Sequence, residues 1–234
     1  MKRSLDLILR DDLLALRWLP GTTGRMVVVF TGLKLGVGGG HPTEFAGSAS
    51  QDGDAVLFVT DRTSSWYSAP GLWRRVVTWV RYVRRSERIR EVLSLGTSMG
   101  GYGAILLAKH LPVTRVVAFS PQVTRDDAVL EDARWRALEH PLPERDLAAA
   151  CVDRTEYLLL ASEGCTLDRR HIARMPRTPN VHRLLLPGHH HNAAGRLKAA
   201  GLLAPVVAAC LSGARAEARR LIDTGLRPEA EALS

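Results

Sequence analysis

The sequence has few cysteines, and none of them is placed in a pair. Cys151, Cys165 and Cys210 are widely spaced and no CxxC motif occurs, so neither a disulfide framework nor a thiolate zinc site is indicated. No apolar run approaches the ~18 residues that a membrane-spanning helix needs. The basic start of the chain leads into an apolar stretch that Asp6 and the charged cluster 10–12 interrupt, which is unlike a signal peptide. We therefore expect a cytoplasmic protein with no membrane span.

Lysine is scarce as well, at four of the 32 cationic residues. The formal net charge is still +8 because arginine is abundant, and such a charge admits an acidic partner. Hydrophobic residues make up 46% of the 234-residue chain and charged residues 24%. This globular mixture excludes wholesale disorder and a fibrous repeat. The length and composition favour one packed domain spanning 1–234.

Short apolar runs alternate with helical patterns along most of the chain. The runs Leu5–Leu9 and Leu13–Leu19 flank a charged turn and predict an antiparallel hairpin at a sheet edge. Six later runs predict strands that are covered on both faces: Met26–Phe30, Ala55–Thr60, Val92–Leu95, Val113–Phe119, Tyr157–Ala161 and Val181–Leu186. Helical patterns lie at Leu72–Arg85, Gly100–His110, Asp168–Met175 and Ala193–Leu203. The alternation predicts an α/β fold with a mostly parallel sheet flanked by helices.

Two segments depart from this alternation. Residues 121–147 are too many for a simple connection and predict a small helical cap insertion over a site. The charged tail from residue 212 to residue 234 predicts a peripheral helix followed by a frayed end.

A candidate nucleophile lies between a predicted strand and a predicted helix. The sequence GTSMG at 96–100 has the form of a nucleophile elbow in the context that the motif requires. A sharp turn there would raise Ser98 at the carboxyl edge of the sheet and leave no room for side chains at Gly96 and Gly100. The alternative is an ordinary glycine-rich turn with Ser98 as a helix N-cap.

A serine hydroxyl needs a base, and three histidines follow the last predicted strand. We prefer His191 because it directly precedes a predicted helix, with His189 as the second choice. Adjacent residues on an extended chain seldom face one point, and no acidic or cysteine partner lies nearby at ligand spacing. We therefore expect no metal site in this stretch.

The acid that orients the base should follow the strand at 157–161. Glu163 lies at the tip of that strand and is the residue we favour. Asp168 is the alternative, although it could equally be a plain helix N-cap. Either residue keeps the chain order serine, acid, histidine.

An oxyanion hole requires two backbone donors near the hydroxyl. The N–H of Met99 follows the nucleophile, and the N–H of Leu33, after Gly32, is our choice for the second donor. The glycine-rich stretch 36–40 either lets substrate approach the backbone or is simply a flexible loop. It matches neither phosphate-loop pattern.

Three aromatic residues are candidates for substrate binding. Trp66, Tyr67 and Trp135 could line a pocket for a ring or a sugar, and the alternative is ordinary packing. Gly32 is a further candidate for contact with a small-molecule acyl substrate.

The chain resembles the α/β-hydrolase superfamily, in particular small bacterial serine hydrolases with an elbow such as GTSMGGYG at 96–103. The likeness runs from about Met26 to Leu203. It includes FSPQ at 119–122, DRRH at 168–171 and the six-residue spacing from His191 to Leu197. The resemblance implies a serine hydrolase that acts on an ester, thioester or amide without a cofactor. Two positions depart from the family pattern: Thr31 stands where a histidine is common before Gly32, and Glu163 replaces the usual aspartate.

Two functions of different classes follow. The first is an ester or thioester hydrolase that forms an acyl-enzyme on Ser98. The alternative is a non-catalytic binding protein on the same fold, whose arginine-rich helix around 74–90 recognises an acidic polymer or surface. No nucleic-acid motif accompanies these arginines, so no specific nucleic acid is expected. A homo-oligomer is compatible with the sequence.

Overall fold

The computed structural model describes residues 4–33, 43–135 and 138–226. Eight strands form one sheet, and their bounds follow the apolar runs of the sequence closely. They are β1 Asp6–Arg10, β2 Leu14–Leu19, β3 Arg25–Phe30, β4 Ala55–Asp61, β5 Glu91–Thr97, β6 Arg115–Phe119, β7 Glu156–Ser162 and β8 Val181–Leu186.

The strand order is β1-β2-β4-β3-β5-β6-β7-β8. β2 pairs antiparallel with β1 and β4, and the pairs from β4 to β8 are parallel. The predicted edge hairpin and the predicted mostly parallel α/β sheet are thus both confirmed. The register places Phe30 opposite Gly96 and Thr97 opposite Phe119. The loops that follow β3 and β6 therefore leave the sheet on either side of the end of β5.

Seven α-helices are described, and they cover both faces of the sheet. They are α1 Ala46–Ala49, α2 Leu72–Ser86, α3 Met99–His110, α4 Thr166–Arg174, α5 Ala193–Ala199, α6 Leu203–Ser212 and α7 Arg215–Gly225. None of the helices in the described part of the chain is long and apolar enough to cross a membrane.

Alternating side chains of the strands supply two hydrophobic cores. Met26 and Val28 pack with residues of α2, α3 and α4 on one face, whereas Val27 and Val29 pack with residues of α1, α5, α6 and α7 on the other. This alternation is what the two-residue period of a strand requires when both faces are buried. α3 is buried over most of its length, since every residue from Met99 to Ala108 is buried. The helix that follows the candidate nucleophile is therefore held firmly against the sheet.

Two of the predicted segments differ in the structure. The helix predicted over Ala193–Leu203 is wrong as one element, because it ends at Ala199 and a new helix starts at Leu203, with Gly201 between them at a φ of 71°. The prediction of a helical cap over residues 121–147 is also wrong for the described part of that segment. This part consists of turns and extended chain up to a single 3-10 turn at Leu147–Ala150. Side-chain hydrogen bonds and buried contacts fix this segment, instead of the backbone hydrogen bonds of a helix. The tail forms α7 as predicted, and residues 227–234 lie outside the described part.

Candidate active site

The turn between β5 and α3 is a strained, tightly packed elbow. Ser98 has a φ of 55° and a ψ of −119°, a conformation that costs a non-glycine residue about 1–3 kcal/mol. A Cβ atom at Gly100 would lie 2.1 Å from the carbonyl oxygen of Phe30, and one at Gly96 would lie 2.3 Å from that of Gly100. Both glycines are therefore required by close backbone contact. The surrounding sheet and α3 hold Ser98 in this conformation at the carboxyl edge of β5.

Three side chains from distant parts of the sequence meet at this edge. The Oγ atom of Ser98 lies 3.0 Å from the Nε2 atom of His191, whose Nδ1 atom lies 2.8 Å and 2.9 Å from the two carboxylate oxygens of Asp168. A carboxylate facing Nδ1 fixes the proton on that nitrogen, so Nε2 is left as a hydrogen-bond acceptor. The imidazole is thus oriented to receive the proton of the Ser98 hydroxyl.

The structure distinguishes the two histidines that the sequence left open. His191 follows β8 and is half-buried against Ser98, whereas His189 is exposed and lies beside Gly164. The preferred histidine is the one within hydrogen-bond distance of Ser98. In the described residues, no group of three histidine, cysteine or acidic side chains is arranged to hold a metal ion.

The preference for Glu163 over Asp168 needs correction. The N–H of Glu163 donates a 2.7 Å hydrogen bond to the carbonyl oxygen of Leu186, which extends the pairing of β7 with β8 by one residue. The Glu163 side chain is exposed, and it is Asp168 that pairs with His191. Asp168 lies in the first turn of α4 and is fully buried. The first turn of α4 brings the Asp168 carboxylate back to the edge of the sheet. The Glu163 carboxylate, at the tip of β7, lies in solvent instead.

Gln122 is a site residue that the sequence analysis noted only as part of a matching segment. It follows β6, is fully buried, and its Oε1 atom accepts a 2.8 Å hydrogen bond from the Ser98 hydroxyl. Its Nε2 atom lies 3.2 Å from Nε2 of His191. A hydroxyl has one proton to donate, so Gln122 and His191 are alternative acceptors for the proton of Ser98.

An arginine from the 121–147 segment joins the carboxylate of the site to a second one. Nη1 of Arg134 donates to Asp168 at 2.8 Å, while its Nε and Nη2 atoms donate to the two oxygens of Asp132 at 2.9 Å and 2.7 Å. Asp132 also lies 2.9 Å from Nε2 of the fully buried His171. Contacts this far apart in sequence leave no pattern in the residues themselves, so neither Arg134 nor Asp132 was predicted.

The charges of this network compensate one another. Burial works to raise the pKa of Asp168, but its hydrogen bond and charge interaction with His191 and those with Arg134 outweigh burial and hold the pKa below its usual value. The pKa of Asp132 is lowered in the same way, since hydrogen bonds from Arg134 and His171 outweigh burial. Burial lowers the pKa of His171, and its Nδ1 atom accepts from the N–H of Val123. Both carboxylates are therefore ionised at neutral pH, next to a neutral His171.

The candidate oxyanion donors belong to the start of α3 and to the loop after β3. Met99 is the first residue of α3, and an amide in the first turn of a helix has no partner inside that helix. The N–H of Gly32 donates to the carboxylate of the buried Glu44 at 2.8 Å, which leaves the N–H of Leu33 as the next donor along the loop. Leu33 is partly buried and packs against the core. The glycine-rich stretch 36–40 lies outside the described residues.

The three aromatic candidates occupy different positions. The ring centroid of Trp135 lies 5.5 Å from that of His191 and 5.9 Å from that of Trp66. Tyr67 is fully buried and packs edge-on against Phe30 and Trp73 in the core. The structure thus places Trp135 beside His191, with the buried Trp66 packed against it, and places Tyr67 in the core against Phe30 at the end of β3.

Comparison with known proteins shows likeness at the level of structure. No protein-family model and no curated protein sequence matches the chain. An esterase from Pyrobaculum calidifontis superimposes with a TM-score of 0.62 at 14% identity, covering 91% of this chain and 85% of that one.

Two further solved structures are similar. An alpha-beta serine hydrolase homologue from Coxiella burnetii has a TM-score of 0.61 at 14% identity and covers 89% of this chain and 97% of that one. The capsule O-acetyltransferase of Neisseria meningitidis serogroup A has a TM-score of 0.57 at 13% identity and covers 83% and 91%. At such identities the likeness shows the fold alone. The chain has the α/β-hydrolase fold, as the resemblance implied.

Proposed function

We propose that this protein is a serine hydrolase that cleaves a carboxylic ester or thioester through an acyl-enzyme on Ser98. The observation that carries the proposal is the alignment of Ser98, His191 and the buried carboxylate of Asp168, with 3.0 Å from Oγ to Nε2 and 2.8 Å from Nδ1 to the carboxylate. A serine, an imidazole and a carboxylate in this arrangement are recognised as a catalytic triad by their geometry and roles rather than by sequence position. Neighbours with this fold that are named as esterases and serine hydrolases support the same reaction class.

The first half of the reaction acylates the serine. Oγ of Ser98 attacks the carbonyl carbon of the substrate while Nε2 of His191 takes the hydroxyl proton, and the carbonyl oxygen becomes an oxyanion. The N–H groups of Met99 and Leu33 donate hydrogen bonds to that oxyanion, and the positive end of the α3 dipole adds to them. The C–O or C–S bond then breaks, and His191 gives its proton to the departing alcohol or thiol.

The second half returns the enzyme to its starting state. A water molecule attacks the acyl carbon, His191 accepts a proton from that water, and collapse of the new oxyanion releases the carboxylic acid as the proton returns to Ser98. Asp168 keeps the proton on Nδ1 throughout and stabilises the imidazolium that forms in each half. The reaction needs no cofactor.

Gln122 controls where the Ser98 proton points in the resting enzyme. Its amide oxygen lies 2.8 Å from Oγ and competes with the 3.0 Å contact to His191. The hydroxyl must turn from Gln122 to His191 before it can attack. We assign to Gln122 the role of holding the Ser98 hydroxyl and the His191 ring in their relative positions.

Arg134 is a positioning residue in this scheme, since it contacts Asp168 and the Nδ1 side of the His191 ring. Its 2.8 Å hydrogen bond fixes the carboxylate against rotation. Its charge keeps that buried carboxylate ionised, which is the state that can hold the proton on Nδ1 of His191.

The proposal is tested by active-site labelling and turnover. A fluorophosphonate probe should label the wild-type protein, and Ser98→Ala and His191→Ala should lose labelling. Turnover of p-nitrophenyl and coenzyme A esters, from acetyl upward, should fall in parallel. His189→Ala is the matched control and should keep both. Equal labelling of the wild type and Ser98→Ala would contradict the proposal.

The same assay separates hydrolysis from acyl transfer. One similar structure is named as an O-acetyltransferase, and an acyl-enzyme can pass its acyl group to a hydroxyl group instead of to water. We expect the released acid to account for the ester consumed, whether or not a sugar acceptor is present. A labelled protein that releases no acid without an acceptor would point to a transferase.

A further inference from the structure

A second concave feature lies on the opposite edge of the sheet from Ser98. The ends of α2 and α3 lead into the amino ends of β5 and β6, and a groove of about 470 Å³ opens between these helix ends. Its lining consists of Arg81, Arg84, Arg85, Arg88, Ile89, His110, Leu111 and Pro112. Half of the lining residues are thus arginines, and none of the lining residues is acidic.

The arginines of this groove lie together without an acidic partner among the described residues. Within the described residues, none of the four forms an ion pair, whereas Arg219 pairs with Asp223 and Arg220 pairs with Glu217 on α7. Arg81 donates one hydrogen bond, of 3.0 Å, to the carbonyl oxygen of His110. A guanidinium has five N–H donors, so this bond fixes Arg81 across the groove and leaves its other donors available.

The positive charge of the groove also acts on its histidine. Burial, followed by the charges of Lys109 and Arg81, lowers the pKa of His110, and Glu144 opposes the shift only in part. The uncharged form of His110 is therefore favoured beside the guanidinium groups of the groove.

The backbone at Arg88 provides an independent observation. Arg88 follows the end of α2 with a φ of 52°, a conformation that glycine adopts freely and that costs other residues roughly 1–2 kcal/mol. The N–H of Arg88 donates to the carbonyl oxygen of Arg85, and that of Ile89 donates to Arg84, so the turn itself is an ordinary helix end where glycine is usual. The strained backbone thus places the guanidinium of Arg88 in the groove, where it forms no ion pair with the described residues.

We propose that this groove binds a diphosphate, or two closely linked phosphate groups, carried by a small molecule. Guanidinium forks match phosphate oxygens bidentately, and several phosphate charges are needed to balance four arginines in one place. Ile89, Leu111 and Pro112 supply an apolar floor for the adjoining carbon atoms. A volume of about 470 Å³ falls within the range of small-molecule sites. The concave clustering of the cations favours such a ligand over the extended acidic polymer that the arginine-rich helix suggested from sequence.

The test is calorimetric titration of the full chain with inorganic pyrophosphate at an ionic strength of about 0.15 M, with inorganic phosphate in a parallel arm. The wild type should bind one pyrophosphate, and more tightly than phosphate. Arg88→Gly removes a guanidinium at a position whose backbone suits glycine, so the variant should unfold at the same or a higher temperature while binding about threefold more weakly. Arg85→Gln combined with Arg88→Gly should weaken binding at least about tenfold.

The matched control is Arg219→Gln combined with Arg220→Gln, which removes the same charge from α7. Pyrophosphate affinity of this control should stay within about twofold of the wild type, because exposed charges beyond a Debye length are largely screened. Equal weakening in the control and the groove variants would overturn the proposal. So would retention on heparin by a wild type that shows no saturable binding of pyrophosphate, since that result would assign the arginines to a polymer.

Discussion

Arg134 and His191 share one oxygen atom of Asp168. Nη1 of Arg134 and Nδ1 of His191 each lie 2.8 Å from Oδ1 of that carboxylate, and the two nitrogens are 3.4 Å apart. A carboxylate oxygen has two lone pairs and can accept both bonds. The 121–147 segment therefore contributes a cation that contacts Asp168 and His191 and does not contact the Ser98 hydroxyl itself.

Replacing Arg134 by glutamine should slow the reaction with little effect on substrate binding. Without the guanidinium the Asp168 carboxylate is free to rotate away from His191, and misplacement of a catalytic group by about 1 Å costs on the order of 100-fold in rate. We expect kcat to fall roughly 10- to 100-fold at nearly unchanged KM. Steady-state kinetics on a p-nitrophenyl ester measure both constants.

The charge of Arg134 should have an effect on the rate that a second substitution can separate from its shape. Nη1 of Arg134 lies 2.8 Å from Asp168 and 3.4 Å from Nδ1 of His191, so both its charge and its forked shape can act on this pair. Arg134→Lys keeps the charge but loses the fork, and we expect it to recover part of the rate that Arg134→Gln loses. A purely structural role for Arg134 predicts lower protein stability with kcat unchanged.

Asp168→Asn should lower kcat far more than Glu163→Gln does. An amide cannot stabilise the imidazolium and allows the wrong tautomer of His191, which in a comparable triad costs on the order of 10⁴-fold in kcat. Glu163→Gln alters an exposed side chain outside the hydrogen-bonded chain and should leave kcat within about twofold of the wild type. Turnover measured side by side on both variants decides between the two carboxylates, and a larger loss in Glu163→Gln would reject the assignment of Asp168.

The parts of the site that the sequence predicted are those with a local physical cause. Gly96 and Gly100 flank Ser98 because a sharp strand-to-helix turn excludes side chains there, and such a demand is visible in five consecutive residues. The position of His191 follows from the end of one strand and the start of one helix. The carboxylate could not be chosen in this way, because the pairing of β7 with β8 continues through Glu163 and turns its side chain to solvent.

The remaining partners depend on contacts between distant segments. Arg134 meets Asp168 across 34 residues and His191 across 57, from a segment that has no helical or strand period to reveal its direction. The division between α5 and α6 has a local cause instead. A single glycine inside a helical pattern is usually tolerated, but Gly201 has a φ of 71° and ends α5 with a hydrogen bond from the N–H of Leu202 to the carbonyl oxygen of Leu197.

The elbow glycines should be intolerant of a single methyl group. Gly100→Ala forces a Cβ atom to within 2.1 Å of a backbone oxygen of β3, and backbone in the centre of a sheet cannot move aside. We expect a loss of about 3 kcal/mol in the free energy of unfolding, at the upper end for overpacking. Gly47→Ala is the control, since nothing lies within 4 Å of a Cβ atom there and alanine favours the helix. Urea unfolding of both variants measures the difference, and equal effects would contradict the steric explanation.

The ion pairs of Asp132 should make stability depend on pH in the acid range. The folded-state pKa of Asp132 lies well below the unfolded value of about 3.9, because hydrogen bonds from Arg134 and His171 outweigh burial. Between these two values the unfolded chain binds more protons, so the stabilisation is complete above about pH 4 and is lost as the pH falls toward the folded-state pKa. Asp132→Asn removes the charge and should lower the free energy of unfolding at pH 7 by about 3 kcal/mol, because it leaves the partly buried guanidinium of Arg134 with one charged partner fewer.

The difference between wild type and Asp132→Asn should therefore shrink when urea unfolding is repeated at successively lower pH below about 4. Asp126→Asn provides the comparison, since Asp126 pairs with Arg145 on the surface and solvent screens that pair. Its unfolding midpoint should follow that of the wild type at every pH. A difference for Asp132→Asn that stays constant down to pH 2 would mean that the lost packing or hydrogen bonding of the side chain, and not its ionisation, stabilises the fold. In that case the carboxylates around Arg134 would not be held in their charged form by the network, and the same reasoning would fail for Asp168.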